Sequence, residues 1–242
     1  MSRPTVGVIG DETARDAVTA SGGDPVVGAP AEVAAATPEL IVTVGERGLL
    51  DAVAAGVDGP VLPVAARERV PSVPRDSLDT ALDAFLAGRH ETATRPVISA
   101  RSPLGETRAL MDVMLVTAEP ARISEYAVCR GGESVATFRA DGVVVATPAG
   151  SRGYTRRAGG PVLAPELDVL AVVPVAPFST DEDTWILPAS ELELRIERDE
   201  TPVELLADDR TAGSVVPGES VRVGRDGTLS VAVVDASRRR IR

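Results

Sequence analysis

Lysine, asparagine and glutamine do not occur in this 242-residue chain, so all 25 basic residues are arginine. Without lysine there is no GxxxxGK[ST] phosphate loop. The glycines after the first apolar run, Gly7 and Gly10, lack the third glycine of a dinucleotide fingerprint. One cysteine, Cys129, excludes an internal disulfide, and with the single histidine, His90, it cannot build a zinc or haem site of the usual spacings. A Ser–His or Cys–His nucleophile is conceivable only around His90, which falls in an expected linker. No metal-ligating residue is therefore assigned, and any metal chemistry rests on carboxylates and suits Mg²⁺. Aromatic residues are scarce, at 2%. No apolar run approaches the ~20 residues of a membrane span, and the opening MSRPTVGVIGDE has no secretory pattern. The expectation is a soluble cytoplasmic protein.

What is present is an apolar, acidic chain. Hydrophobic residues make up 44%, enough for a proper core in one domain or two. There are 36 acidic residues and the net charge is −11. Such a surface stays solvated once salt has screened its self-repulsion, so the composition reads as halophilic. It argues against nucleic-acid binding, because no dense basic face is available. The run Arg238, Arg239, Arg240 is too short to change that.

The first part of the chain alternates strand and helix patterns. Strands are expected at Thr5–Ile9, Leu40–Val44 and residues 61–64, with a short one at 26–27. Helices are expected at Ala14–Ala20, 49–55 and 76–87, the last with Leu78, Ala81, Leu82, Phe85 and Leu86 on one face. This predicts a Rossmann-like α/β domain, a parallel sheet covered by helices, over residues 1–92. Polar residues 88–96 read as a linker. From 93 to 242 the runs are strand-like: 108–117, 123–130, 134–139, 142–147, 169–173, 192–197, 203–207, 221–223 and 229–234. Turn pairs such as Asp141-Gly142 and Asp226-Gly227 fall between them. A β-rich second domain follows, whose last residues are candidates to pack back on the first.

The informative stretch is residues 138–161, FRADGVVVATPAGSRGYTRRAGGP. Asp141-Gly142 is expected to turn the chain into a buried strand. A small-residue loop from Thr147 through Gly150 then opens a short helix, with Ser151 as candidate N-cap. Exposed N–H groups at such a junction favour a phosphate, and Tyr154 offers a flat face for a base. Spacing alone is equally that of an ordinary strand–turn–helix corner.

This stretch resembles the NAD kinase signature DGxxxATPTGSTAYxxSAGGP. Asp141, Gly142, Ala146, Thr147, Pro148, Gly150, Ser151, Tyr154, Ala158, Gly159, Gly160 and Pro161 match in register. Downstream, the segment PVAPFS (174–179) resembles the family's PxxPHS, and ILP (186–188) its LVLP. The resemblance implies an ATP/Mg²⁺-dependent kinase of the NAD 2′-hydroxyl, with small-molecule nucleotides as partners and a dimeric or tetrameric assembly. It implies that Arg139 and Asp141 lie at the NAD site, that Arg152, Gly153 and Tyr154 line the dinucleotide pocket, and that Ala176 borders it. The family's GGDGT counterpart is Gly45, Glu46, Arg47 and Gly48, with Glu46 as catalytic carboxylate. Its Asn-Glu or Asn-Asp pair falls at Met111 and Asp112.

The departures cluster on the reacting positions. Glu46 replaces Asp, Arg47 Gly, Gly48 Thr, Met111 Asn, Ala149 Thr, Arg152 Thr and Phe178 His. An added methylene at Glu46 shifts its carboxylate by more than ~1 Å, enough to cost ~10²-fold in rate. Arg47 is suited to clamp a phosphate. Three readings stay open: an NAD kinase, a kinase of the same superfamily with another small-molecule acceptor, and a non-catalytic NAD(P)- or nucleotide-binding regulator.

Overall fold

The computed structural model describes residues 3–67, 69–119, 122–179, 183–198 and 201–237. The Arg238–240 run lies outside them. The chain forms two compact units. One takes the chain up to Arg95 and again from Thr228, and the other is Pro96–Gly227.

The first unit is a parallel sheet with helices. Its elements are β1 (Thr5–Ile9), α1 (Ala14–Ala20), β2 (Asp24–Val27), α2 (Pro30–Ala35), β3 (Leu40–Val44), α3 (Gly45–Ala54), β4 (Pro60–Val64) and α4 (Leu78–Leu86). The strand order is β4-β3-β1-β2, all parallel. β3 is buried at all five positions, as expected of a parallel strand covered on both faces. Leu78, Ala81 and Leu82 of α4 enter the same core as Val6, Val8, Leu40 and Val42. Each fully buried Leu stabilises this packing by roughly 1.5–3 kcal/mol. The chain runs from β1 to β2 on one side and then back past β1 to β3. The strand order therefore reverses between β1 and β3, and ligands of α/β sheets bind beyond the carboxyl ends at such a point.

Two local expectations are corrected here. α3 begins at Gly45, not at residue 49, because Gly45 (φ +76°) makes the sharp exit from β3 that lets the helix start at once. α2 was not foreseen: its Ala-rich sequence buries only Val33, so no apolar period marks it. Its start is fixed by Pro30 and by Glu32, whose carboxylate accepts the Ala29 N–H at 2.9 Å.

The β-rich unit contains β5 (Glu91–Ser102), β6 (Gly105–Ala109), β7 (Asp112–Thr117), β8 (Ser124–Arg130), β9 (Glu133–Ala146), α5 (Tyr154–Arg157), β10 (Val169–Pro177), β11 (Trp185–Pro188), β12 (Leu192–Arg198), β13 (Val203–Ala207), β14 (Arg210–Val215) and β15 (Ser220–Val233). β5 starts, and β15 ends, in the first unit, where Ser230 and Val231 pair with Pro60 and Val61 of β4. The first half of β9 pairs with β8, and its second half lies between β7 and β10.

The division between the two units falls within residues 88–96, after Arg95, and this stretch is part of a strand, because β5 begins at Glu91. Thr92 and Thr94 are β-branched, and Pro96 has a fixed φ compatible with an extended chain. Asp141-Gly142 and Asp226-Gly227 do not turn the chain, since both lie within continuous strands. Gly142 is glycine because a Cβ there would sit 2.5 Å from the Leu115 carbonyl on β7. Conversely, the expected strand 108–117 is broken at Leu110 and Met111 into β6 and β7.

Candidate functional site

In the first unit, Gly45, Glu46, Arg47 and Gly48 form the first turn of α3 at the carboxyl end of β3. Gly48 packs against the end of β1, where a Cβ would meet the Ile9 carbonyl at 2.9 Å. Gly45 has open space around its missing side chain. Arg47 turns along the helix and its Nε donates to both carboxylate oxygens of Asp51, at 3.0 and 3.2 Å. Two other arginines take Glu46, neither foreseen from sequence: Arg67 Nε lies 3.0 Å from its Oε2 and Arg69 Nη1 lies 3.6 Å from its Oε1. The Arg67 approach is within ion-pair range but misaligned, leaving the buried Oε2 without a hydrogen bond among the described residues.

In the β-rich unit, the candidates gather in two groups. The first is built on the backbone of Met111. Its carbonyl accepts the Thr147 N–H at 2.9 Å and the Thr147 hydroxyl at 3.1 Å, while that hydroxyl also donates to Leu110 at 2.6 Å. Gly150 lies over the same carbonyl. Asp112, buried, pairs in register with Ala146, the residue before Thr147. Ser151 is not an exposed helix cap. It is buried in a 3₁₀ turn, donates to Pro148 at 2.7 Å and accepts the Leu163 N–H at 3.0 Å. Gly153 takes the N-cap position of α5 instead.

Beyond the turn, burial alternates. Ser151, Gly153 and Thr155 point inward while Arg152, Tyr154 and Arg156 face out, Tyr154 being 41% exposed. Gly159 (φ +89°) ends α5, and Gly160 fits between Thr155 and Val173.

The second group lies where β9 and β10 pair. Ala176 falls between the couples Val175–Gly142 and Pro177–Ala140, and so opposite Asp141. It has φ +46°, a backbone strain of roughly 1–3 kcal/mol for a non-glycine residue. The Arg139 carbonyl accepts the Phe178 N–H at 2.8 Å, and the Arg139 guanidinium stands 5.6 Å from the Phe178 ring centre. Phe178 is 71% exposed. With Glu125, Thr137, Phe138 and Ser179 the pair lines a cavity of about 230 Å³. Residues named from motifs more than thirty positions apart are thus neighbours on adjacent strands.

Sequence reasoning also missed Asp208, whose carboxylate accepts the N–H groups of Leu110, Met111 and Asp112 at 3.0, 2.7 and 3.3 Å. Burial pushes this carboxyl above the ordinary aspartate range although the three N–H groups act to lower it. Its only sequence signal was an Asp-Asp pair between two strand patterns.

A parallel α/β unit followed by a β-rich unit is the fold of the NAD(H) kinases, and the small-residue loop at 147–153 turns the N–H groups of Thr147, Gly150, Ser151 and Gly153 inward, where they bond to the chain itself and not outward to a phosphate as expected. Yeast NADH kinase, solved with NADH, superposes with a TM-score of 0.83 at 17% identity over 98% of this chain and 85% of that one. The NAD kinase of Archaeoglobus fulgidus, solved with ATP, gives 0.79 at 21% identity over 97% and 94%. The ATP-NAD kinase C-terminal domain matches residues 110–234. NAD kinases of Methanosarcina barkeri and Symbiobacterium thermophilum are 33% and 36% identical over 65% and 60% of this chain. That of Gemmatimonas aurantiaca is 30% identical over 77% of this chain and 69% of its own length. The chain belongs to the NAD kinase family. It spans 59% and 53% of the first two relatives.

Proposed function

We propose that the protein phosphorylates the 2′-hydroxyl of NAD with ATP, giving NADP and ADP. The observation that carries this reading is the place of Glu46, whose carboxylate stands on the first turn of α3 beyond the β1–β3 reversal, with the exposed Arg67 as its ion-pair partner. A carboxylate so placed accepts the proton of the 2′-hydroxyl as that oxygen attacks the γ-phosphorus and the bond to ADP breaks. A general base of this kind contributes about 10²–10⁴-fold. Positioning and charge stabilisation supply most of the rest in phosphoryl transfer. Asp112 and Asp141 are proposed to hold ribose hydroxyls, Tyr154 to face a base, and Arg47 with the first N–H groups of α3 to meet phosphates. Mg²⁺ enters as part of the ATP substrate. Among the described residues no three His, Cys, Asp or Glu side chains cluster to hold a metal.

A second reading, a non-catalytic NAD(P)-binding regulator, is favoured by one observation: Arg67 and Arg69 both stand against Glu46 and restrain it. A third, a kinase for another small acceptor, draws only on Arg152 and Met111. We further propose a cytoplasmic homo-oligomer, a dimer or tetramer without nucleic-acid or membrane partners, with β11 and β14 as sheet edges suited to self-pairing. No helix of the described residues is long and apolar enough to cross a membrane.

The test is calorimetric titration of NAD and NADP in molar KCl, followed by ATP and Mg²⁺ with an assay for NADP. Turnover that disappears in Glu46→Ala supports the kinase. Binding without turnover supports the regulator, and light scattering of the same sample reports the assembly.

A further inference from the structure

The turn between β13 and β14 needs no buried acid. Two-residue hairpin turns are made by residues that tolerate φ > 0, and Asp208, at φ +54°, meets that need through its backbone alone. Yet its side chain turns inward and the carboxylate is half-buried, an arrangement that costs free energy unless the charge is well met. What meets it first is three consecutive N–H groups, those of Leu110, Met111 and Asp112, with the charge of Arg210 adding a smaller contribution. These groups are available because the ladder is interrupted there, between β6 and β7. The Asp208 N–H in turn donates to the Asp112 carbonyl at 2.9 Å, so the two segments are tied in both directions.

The corner held in this way is the one on which the loop at 147–151 rests. The Met111 N–H faces Asp208, and the Met111 carbonyl faces Thr147 and Gly150. A single peptide segment thus has the acid on one side and the loop on the other. A shift of this segment moves the Asp112 side chain and the base of the turn that presents Tyr154 together.

We propose that Asp208 is a positioning residue of the dinucleotide pocket, its carboxylate fixing the backbone at 110–112 and thereby placing both Asp112 and the loop that leads to Tyr154. The inference rests on the reading of that pocket as the NAD site.

The experiment uses the full chain with Asp208→Asn, which keeps size and one acceptor oxygen, and with Asp208→Ala. Amide hydrogen exchange is followed at residues 110–112 and, as reference, at 143–145. NAD affinity, KM and kcat are measured alongside. In Asp208→Asn the amides of 110–112 are expected to exchange about tenfold faster with those of 143–145 unchanged. KM for NAD is expected to rise about tenfold with kcat held within about threefold, because the supporting group and not the reacting one has changed. If Asp208→Ala does not fold, Asp208→Asn decides alone. Faster exchange at 110–112 with wild-type KM and affinity makes Asp208 a purely structural staple and overturns the proposal, as does unchanged exchange. Loss of kcat at constant KM overturns it too. A wild-type chain that binds neither NAD nor NADP removes the site reading and this assignment with it. A wild type that binds NAD, beside an Asp208→Asn that binds equally well, overturns this assignment alone.

Discussion

Gly150 stands so close to Met111 that a Cβ on it would lie 2.0 Å from the Met111 carbonyl oxygen. No side chain rotation relieves a contact of that kind, because both partners are backbone. Gly150→Ala is expected to destabilise the chain by about 1–3 kcal/mol, the usual cost of overpacking, and to weaken NAD binding as the loop lifts. Urea unfolding of the two proteins measures the first effect and calorimetry the second. Equal midpoints would sink the assignment of this glycine to packing.

The buried hydroxyl of Ser151 bridges Pro148 and Leu163, the latter twelve positions further along the chain than the serine. Ser151→Ala leaves a buried carbonyl and a buried N–H without it, at a cost of about 1–3 kcal/mol. Thermal denaturation in molar KCl checks this. A loss no greater than that of an exposed Ser→Ala control contradicts the bridging role.

Glu46 is the residue on which turnover depends in the proposed reaction. Glu46→Ala is expected to lower kcat by about 10²-fold or more while NAD binds within about threefold of wild type. Arg67→Ala removes a restraint on Glu46, and because Arg67 is itself 71% exposed stability should change by less than ~1 kcal/mol. Turnover that survives Glu46→Ala would falsify the assignment of this carboxylate.

Asp11 is held down to about 2, first by its hydrogen bond from Arg75 and next by the Thr13 N–H. Because the folded value lies below the ordinary aspartate value of 3.8, the pairing stabilises the fold above pH ~3.8. That contribution fades as pH falls from there through about 2. Asp11→Asn should therefore narrow the difference in melting temperature between pH 6 and pH 2, the more so at low salt. An identical pH dependence in both proteins would count against the pair.

The surface makes a prediction of its own. With a net charge of −11, self-repulsion weakens as salt is added. The melting temperature should rise between 0.1 and 2 M KCl, and flat behaviour would remove the halophilic reading.

The sequence shows the α/β half clearly at β1, α1, β3 and α4, because strong apolar runs and one amphipathic face write their own boundaries. It shows α2 and the early start of α3 poorly, since an Ala-rich helix and a glycine exit leave no period to read. In the β-rich half, Asp-Gly pairs look like turns, yet β9 and β15 run straight through them. There the neighbouring strand, not the local sequence, decides that Gly142 must lack a side chain. The site was legible to the extent that it is contiguous: Thr147, Gly150, Ser151 and Tyr154 are named by one motif. Arg67, Arg69 and Asp208 were not, because each acts from a distant segment.

The alternation of burial from Ser151 to Thr155 separates two kinds of inheritance. The inward residues are answerable to the rest of the protein, through a hydroxyl bridge and close backbone contact. The outward ones, Arg152 and Tyr154, present much of their surface to what the loop meets in solution. A lineage can therefore redraw the chemistry this loop displays, one exposed position at a time, without disturbing the frame that holds it up.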